Sequence, residues 1–339
     1  MRARRQDMFF TSPGAPMPRR RLLRAIAAGA AITTVPATWA AAWPTRAVRL
    51  IVPFPAAGSA DVLSRVLANA LQPVLGQGLV IDNRAGGGGA LAINLVAHAE
   101  PDGYTLGVTS LGPQVLLPAM GRKLPYDPEK DFAHIGYMGG MPLAIIGNNK
   151  LPVQTLPELV ALAKSRPGKL SIGSSGVPGQ LAIEQFKRIA GIDLLPVPYK
   201  GDAPLATDLI GGQIDLAMIT VTGIIPHIGA KTFKILATTG GKRSAAVPDV
   251  PTVAEQGNAG FEAELWYAMT APAKTPRAIV DQLSAAIAKV QADPEVQRQF
   301  AAQGMSSRTM DAAATTRFIA AERKKWGDII TSSGLKFEE

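Results

Sequence analysis

Val48-Arg49-Leu50-Ile51-Val52-Pro53-Phe54-Pro55-Ala56-Ala57-Gly58-Ser59-Ala60-Asp61-Val62-Leu63 is the passage that decides the fold. Its first half is a short apolar run ended by prolines, the pattern of a buried strand. Its second half passes through small residues into a stretch where Leu63, Val66, Leu67, Ala70 and Leu71 recur at helical spacing. A strand, a small-residue turn and an amphipathic helix make half of a βαβ unit. The alternation continues, with strands expected at 48–54, 79–82, 105–109, 143–146, 171–173, 194–198, 216–219, 234–237 and 266–270. Strands separated by helices imply parallel pairing in an α/β fold. Thr275-Pro276 and Asp293-Pro294 read as N-cap and first-turn pairs, and Gly304 as a stop. A helix over 276–291 is expected to bury Ile279, Leu283, Ile287 and Val290.

The chain of 339 residues is long enough for two domains of about 100–200 residues, each with its own core. Hydrophobic residues make up 47% and charged residues 18%, and the 34 glycines and 27 prolines follow no period, which excludes a fibrous or disordered chain. Cysteine is absent, excluding thiol nucleophiles, disulfides and thiolate metal sites, and three dispersed histidines leave little room for zinc. No metal and no cofactor is expected. The net charge of +9 is concentrated at the start, where residues 1–42 hold seven arginines against the single acid Asp7. Removing that +6 leaves +3 for residues 43–339, and no later segment interleaves aromatics with Lys or Arg, so no nucleic-acid partner is expected. Arg19-Arg20-Arg21-Leu22-Leu23-Arg24 precedes an apolar run, 25–35, too short to cross the roughly 30 Å hydrocarbon core as a helix, then small residues at Ala40-Ala41-Ala42. This is the order of a signal peptide over 1–42, cleaved after Ala42 to release a periplasmic chain. The arginines also resemble a twin-arginine signal.

Two small-residue turns follow the first two expected strands. The turn 53–61 lets the backbone approach a ligand, and Ser59 opens a helix whose amides and dipole favour an anion. Asn83-Arg84-Ala85-Gly86-Gly87-Gly88-Gly89-Ala90 is the second. Side by side at the carboxyl ends of neighbouring strands they would form an anion-binding crevice, and they read equally as plain tight turns. Neither is a P-loop, because no Gly-Lys-Ser/Thr follows. Ser174-Ser175-Gly176-Val177-Pro178-Gly179-Gln180 offers hydroxyls, amides and a carboxamide for a carboxylate or carbonyl, or is an ordinary capped turn. Tyr199-Lys200-Gly201 adds a phenol and an ammonium. Catalytic constellations are poor: Gly173-Ser174-Ser175-Gly176 lacks nucleophile-elbow spacing, and His98, His134 and His227 read as surface or turn residues without a paired base. Glu322 with Arg323, Lys324 and Lys325 reads as an exposed helical face.

Over residues 43–339 the chain resembles the Bug-type solute-binding proteins of tripartite tricarboxylate transporters. The resemblance lies in ordered segments, among them Val52-Pro53-Phe54 with the small turn to Asp61, Asn83-Arg84-x-Gly-x-Gly-Gly, Pro101-Asp102-Gly103-Tyr104-Thr105-Leu106, Lys123-Leu124-Pro125-Tyr126-Asp127-Pro128, Ser174-Ser175-Gly176, Pro198-Tyr199-Lys200-Gly201, Gly211-Gly212-Gln213-Ile214-Asp215 and Pro248-Asp249-Val250-Pro251-Thr252. It implies a type II periplasmic-binding-protein fold, with two Rossmann-like lobes joined by crossing hinge strands near Gly147 and Leu265. Lobe one is expected at 43–146 and 265–339, and lobe two at 147–264. It also implies a small carboxylate held between the lobes. Lobe one would contribute Phe54, Ala57, Gly58, Ser59, Asp61, Gly88, Gly89, Ala90 and Ser110, and lobe two Ser174, Ser175, Gly176 and Gln180, with Tyr199, Lys200 and Asp215 nearby. The partners it implies are membrane permease subunits, or a sensor kinase for a signalling receptor, with the receptor itself a monomer and not an enzyme. The rival from the residues alone is an exported enzyme using the glycine loops for a phosphorylated substrate or nucleotide.

Three departures bear on the ligand. Relatives usually have Gly-Gly where this chain has Ala57-Gly58, Ala90 often replaces an Asn, and Gln180 stands in a shortened loop where a His is common. A neutral amide in place of an imidazole stabilises a second full charge less well, so a compact acid is expected and a tricarboxylate disfavoured.

Overall fold

The computed structural model describes residues 43–333, so the signal-peptide expectation for 1–42 lies outside the described residues. Nine strands appear where the nine apolar runs are, in one continuous mixed sheet ordered β2-β1-β3-β9-β4-β7-β5-β6, with β8 also on β4. The first half is β1 (Val48–Val52), helix α1 (Ser59–Leu75), β2 (Leu79–Asn83), helix α2 (Ala90–Ala97) and β3 (Thr105–Ser110). β1 pairs in parallel with both β2 and β3, as βαβ units require. The second half repeats the plan with α3 (Leu156–Ser165), β5 (Ser171–Ser175), α4 (Gly176–Ala190), β6 (Leu195–Tyr199), α5 (Asp202–Gly211), β7 (Leu216–Thr220) and β8 (Phe233–Thr238). β5 pairs in parallel with β6 and β7. Pro196 and Pro198 are tolerated in β6 because it is the terminal strand and has no outer neighbour to receive its missing amides.

The crossing strands that the resemblance implies are β4 and β9, and they run antiparallel, a direction that the parallel βαβ pattern does not give. β4 (Phe132–Asn148) pairs with β9 (Glu264–Pro272) from Phe132 to Pro142, then with β7 from Leu143 to Gly147 and β8 from Ala144 to Asn148. Only 143–146 was legible as strand, because 132–142 has no two-residue alternation: it is buried on both faces and interrupted by glycines. Those glycines are forced by proximity. A Cβ on Gly140 would lie 2.3 Å from the Tyr137 hydroxyl and 2.6 Å from Glu264 Oε2, and one on Gly139 2.7 Å from Leu63 Cδ1.

After β9 the chain forms α6 (Arg277–Gln291), α7 (Pro294–Ala302) and α8 (Ala312–Ser333). Asp293 caps α7 through Glu295 N as expected, whereas Thr275 does not cap α6, whose buried stripe starts at Val280 rather than Ile279. α8 also corrects the reading of Glu322 as solvated. Glu322 is 7% exposed, and its Oε2 accepts from Trp266 Nε1 on β9 at 3.0 Å and from Trp326 Nε1 at 2.9 Å, while Lys325 pairs with Oε1. Arg323, beside it, pairs with Glu129 and reaches the Gln114 and Pro128 carbonyls, so this charge run fastens α8 to the sheet. Trp266 and Trp326 belong to the largest apolar core, which spans both halves.

Two outcomes test this packing. Glu322→Ala leaves two buried indole N–H groups without acceptors and is expected to cost about 2–4 kcal/mol by urea unfolding, with Glu322→Gln milder. Burial first, then the charge of Arg323, lowers the pKa of His134 on β4 to about 4. The unfolded chain, near 6.5, takes up that proton first. The stability is therefore complete above about pH 6.5, declines below it and is gone under about pH 4, on the order of 3 kcal/mol in all. His134→Asn should flatten the stability profile between those pH values; an unchanged slope would show that His134 does not carry it.

Candidate functional site

The carboxyl end of β1 runs into Pro53-Phe54-Pro55-Ala56-Ala57-Gly58 and then α1. Ala57 is left-handed, at φ 63°, a region that a residue with a Cβ rarely enters. Its amide donates to Asp61 Oδ2 at 2.9 Å, and Asp61 also accepts from Arg65 Nε at 2.9 Å and from Asn83 Nδ2 at 3.1 Å. The Arg65 guanidinium, with the Ala57 and Asn83 donors, holds the Asp61 carboxyl below the ordinary carboxylate range despite its burial. Asn83 Nδ2 donates to the Phe54 carbonyl as well, at 3.0 Å, tying the ends of β1 and β2 together. Asp61, expected among the ligand contacts, is thus placed as the clasp of the turn, outside the two cavity linings described below.

Gly58, as N-cap, has no side chain to bond the first amides of α1, a helix of 17 residues. Those amides and the positive end of the dipole remain available to an anion. The four glycines 86–89 all have positive φ, from 55° to 142°, so only glycine can build this turn without strain. Gly88 lies on the cleft, under Leu117; Gly89 is buried against Pro53 and Pro113, and Ala90 begins α2 behind it. At the end of β3, Ser110 is 4% exposed and its hydroxyl has no partner within the protein. Ser59 Oγ lies 3.1 Å from the Tyr267 hydroxyl on β9, and the Tyr267 and Phe54 rings meet edge to face.

From the second half, α4 opens at Gly176 with no side-chain cap, and α5 opens after Gly201 likewise. Away from the cleft, Thr155 and Asp293 do cap α3 and α7. Ser175 and Thr220 both donate to the Asp202 carboxylate, Thr220 at 2.7 Å. Tyr199 turns its phenol to Asp208 Oδ2 at 2.8 Å; burial, reinforced by Asp208, pushes its pKa up to about 12, so it presents a neutral ring.

These elements enclose two adjoining cavities that share Phe54, Pro178 and Leu265. One, of about 510 Å³, brings together Phe54, Gly58, Ser59, Gly88 and Ser110 with Leu111, Leu116, Leu117, Met120, Trp266 and Tyr267. The other, of about 630 Å³, brings together Ser175, Gly176, Tyr199 and Lys200 with Leu143, Met218 and Thr220. Several expected contacts are absent from both. Ala57 is exposed on the outer side of its turn. Ser174 is buried beneath α4, where a Cβ on Gly179 would come within 2.9 Å of its own Cβ. Gln180 lies one turn into α4, and it is Val177 and Pro178, at the helix start, that line the cavity. Asp215 accepts from Ser171 N and Oγ at 2.9 Å each, at the start of β5 and β7, a strand's length from the ends that line the cleft. The sequence reading missed the apolar wall from 111 to 120 and the acid Asp202, neither of which carries a motif.

The chain matches the family described as tripartite tricarboxylate transporter family receptor over residues 63–335. Protein BugT of Bordetella pertussis is 34% identical over 299 residues, covering 87% of this chain and 92% of BugT. Among solved structures, R. palustris Rpa4515 with adipate is 33% identical with a TM-score of 0.71, covering 86% of this chain and 98% of that one. MatC from Rhodopseudomonas palustris with bound malate is 29% identical with a TM-score of 0.67, covering 85% and 100%. Periplasmic binding protein BugD is 31% identical with a TM-score of 0.66, covering 87% and 100%. The structural neighbours are periplasmic binding proteins, and the mixed sheet of this chain is consistent with their two-lobed fold. With that fold, that coverage and a cleft lined from both halves, this chain belongs to the tripartite tricarboxylate transporter receptor family.

Proposed function

We propose that this protein is an exported, non-catalytic receptor that captures a small organic carboxylate between its two lobes and delivers it to the permease subunits of a tripartite tricarboxylate-type transporter. The observation that carries the reading is the meeting of uncapped helix starts, α1 from one half and α4 from the other, with Ser59, Ser110 and Ser175 on a single cleft. Amides and hydroxyls arranged in this way hold an anion without an arginine. Adipate and malate in two structural relatives support the carboxylate assignment. Closure then requires bending where β4 exchanges β9 for β7 and β8, at Pro142-Leu143, and opposite it at Glu264-Leu265. That point lies a few residues before Gly147, so lobe two begins at 143 in this reading.

Ser59→Asp tests the site. An acid in the first turn favours α1 through its dipole, so melting should be unchanged or raised, whereas the ligand carboxylate would meet a like charge in a poorly solvated cleft. Calorimetric titration with a panel of mono- and dicarboxylates should show binding to the parent and a loss of at least 100-fold in the variant. Equal affinity in the two proteins would refute the site. Export is tested separately: N-terminal sequencing of protein from the periplasmic fraction should start at Trp43, and a start within β1, or protein confined to the cytosol, would overturn it.

A further inference from the structure

We propose that the ligand is a monocarboxylate with an aliphatic or aromatic body, its carboxylate at the start of α1 and its body against Leu111, Leu116, Leu117, Met120 and Trp266. The proposal rests on the receptor reading above and narrows it. The lobe-one cavity is polar at one end only, where Ser59, Tyr267 and Ser110 meet the backbone of Gly58 and Gly88. There Ser110 belongs to the lining, and its buried hydroxyl has no partner within the protein. The remaining wall is apolar, and among the described residues no charged side chain lines this half. The wall is built by a π-helical turn, Gly112–Leu116, running directly into Leu117–Ala119. Wider than an α-turn, that winding is common at functional sites. A carboxylate placed against Leu117 and Met120 would lose its water with no donor to replace it. A methylene or ring carbon there gains by leaving water.

The lobe-two half offers a second carboxylate little. Lys200 is its single charged lining residue, and it is exposed at the rim. The Ser175 and Thr220 hydroxyls already donate their hydrogen bonds to the Asp202 carboxylate, which stands behind them. The Tyr199 phenol is committed to Asp208 in the same way. A ligand carboxylate arriving there would find donors only in the first amides of α4 and α5 and the exposed Lys200, with the Asp202 carboxylate close behind the hydroxyls. Asp202 therefore acts as a specificity residue that excludes a second anionic end, and the apolar wall selects for the body.

Hexanoate and adipate differ only in a methyl or a carboxylate at the far end, so titrating the mature protein with both reads this discrimination directly. Hexanoate is expected to bind at least tenfold more tightly than adipate. Across acetate, butanoate and hexanoate, affinity should climb by about fourfold per added methylene. Leu117→Ser should shrink the hexanoate-to-butanoate ratio; because Leu117 is half-exposed, the variant is expected to fold. Adipate binding as tightly as hexanoate, or more tightly, overturns the monocarboxylate assignment and leaves the carboxylate-receptor reading standing. A chain-length trend unaltered by Leu117→Ser overturns the placement of the body. Failure of every carboxylate tried overturns the receptor reading itself.

Discussion

The antiparallel pairing of β4 with β9 is the constraint on which the rest of the molecule depends. β4 runs seventeen residues through both halves of the sheet and changes partners midway. A pair this long positions the two parallel sub-sheets against each other, and its register sets which loops face across the cleft. The cost is local crowding: at Gly139 and Gly140 the backbone passes so close to Leu63, Tyr137 and Glu264 that a side chain there would have to displace theirs. Arg308, whose guanidinium bonds Glu264 at 2.8 Å and also Glu262, neutralises the carboxylate brought to that crossing. The two bulges between His134 and Gly139 add twist to the strand just before it changes sheets.

From that frame the cleft follows. Parallel strands deliver their carboxyl ends, and hence the starts of the following helices, to one side of each half. Elsewhere in the protein such starts are closed by Thr155 and Asp293, but α1 and α5 begin after glycines and α4 after a serine whose hydroxyl is directed to Asp202. Leaving them open sacrifices some helix stability and retains amides that a ligand can use. Asp61 shows how the open turn is kept rigid. Its carboxylate bonds the strained Ala57 amide and the Asn83 side chain, so the acid quoted in the motif serves the shape of the turn and leaves ligand contact to its neighbours.

The residues that were legible as ligand contacts and that do line the cleft share one property: they lie in turns at strand ends, where motif and position coincide. Ser59, Gly88, Ser110 and Ser175 are of this kind. Ser174, Gln180 and Asp215, outside the two cavity linings, lie one residue, one helical turn or one strand length away, distances that a linear motif does not resolve. Leu111, Leu116, Leu117 and Met120 could not be read at all. An apolar side chain in a short helix has the same signature whether it faces a core or a ligand, and which it faces depends on what other chain segments leave uncovered.

The sequence by itself determined the alternation of nine strands with amphipathic helices, the glycine turns at the ends of β1 and β2, and the family, because these depend on local periodicity, backbone φ and ordered motifs. Only the tertiary structure decided the antiparallel register of β4 with β9 and where β4 changes partners, that Glu322 is a buried acceptor for two tryptophans, and that the cleft is apolar along one wall with an acid behind the other. Each of these is set by contact between residues far apart in the chain. Burial, shared hydrogen bonds and the sign of a neighbouring charge exist only once those residues are brought within a few ångströms of each other.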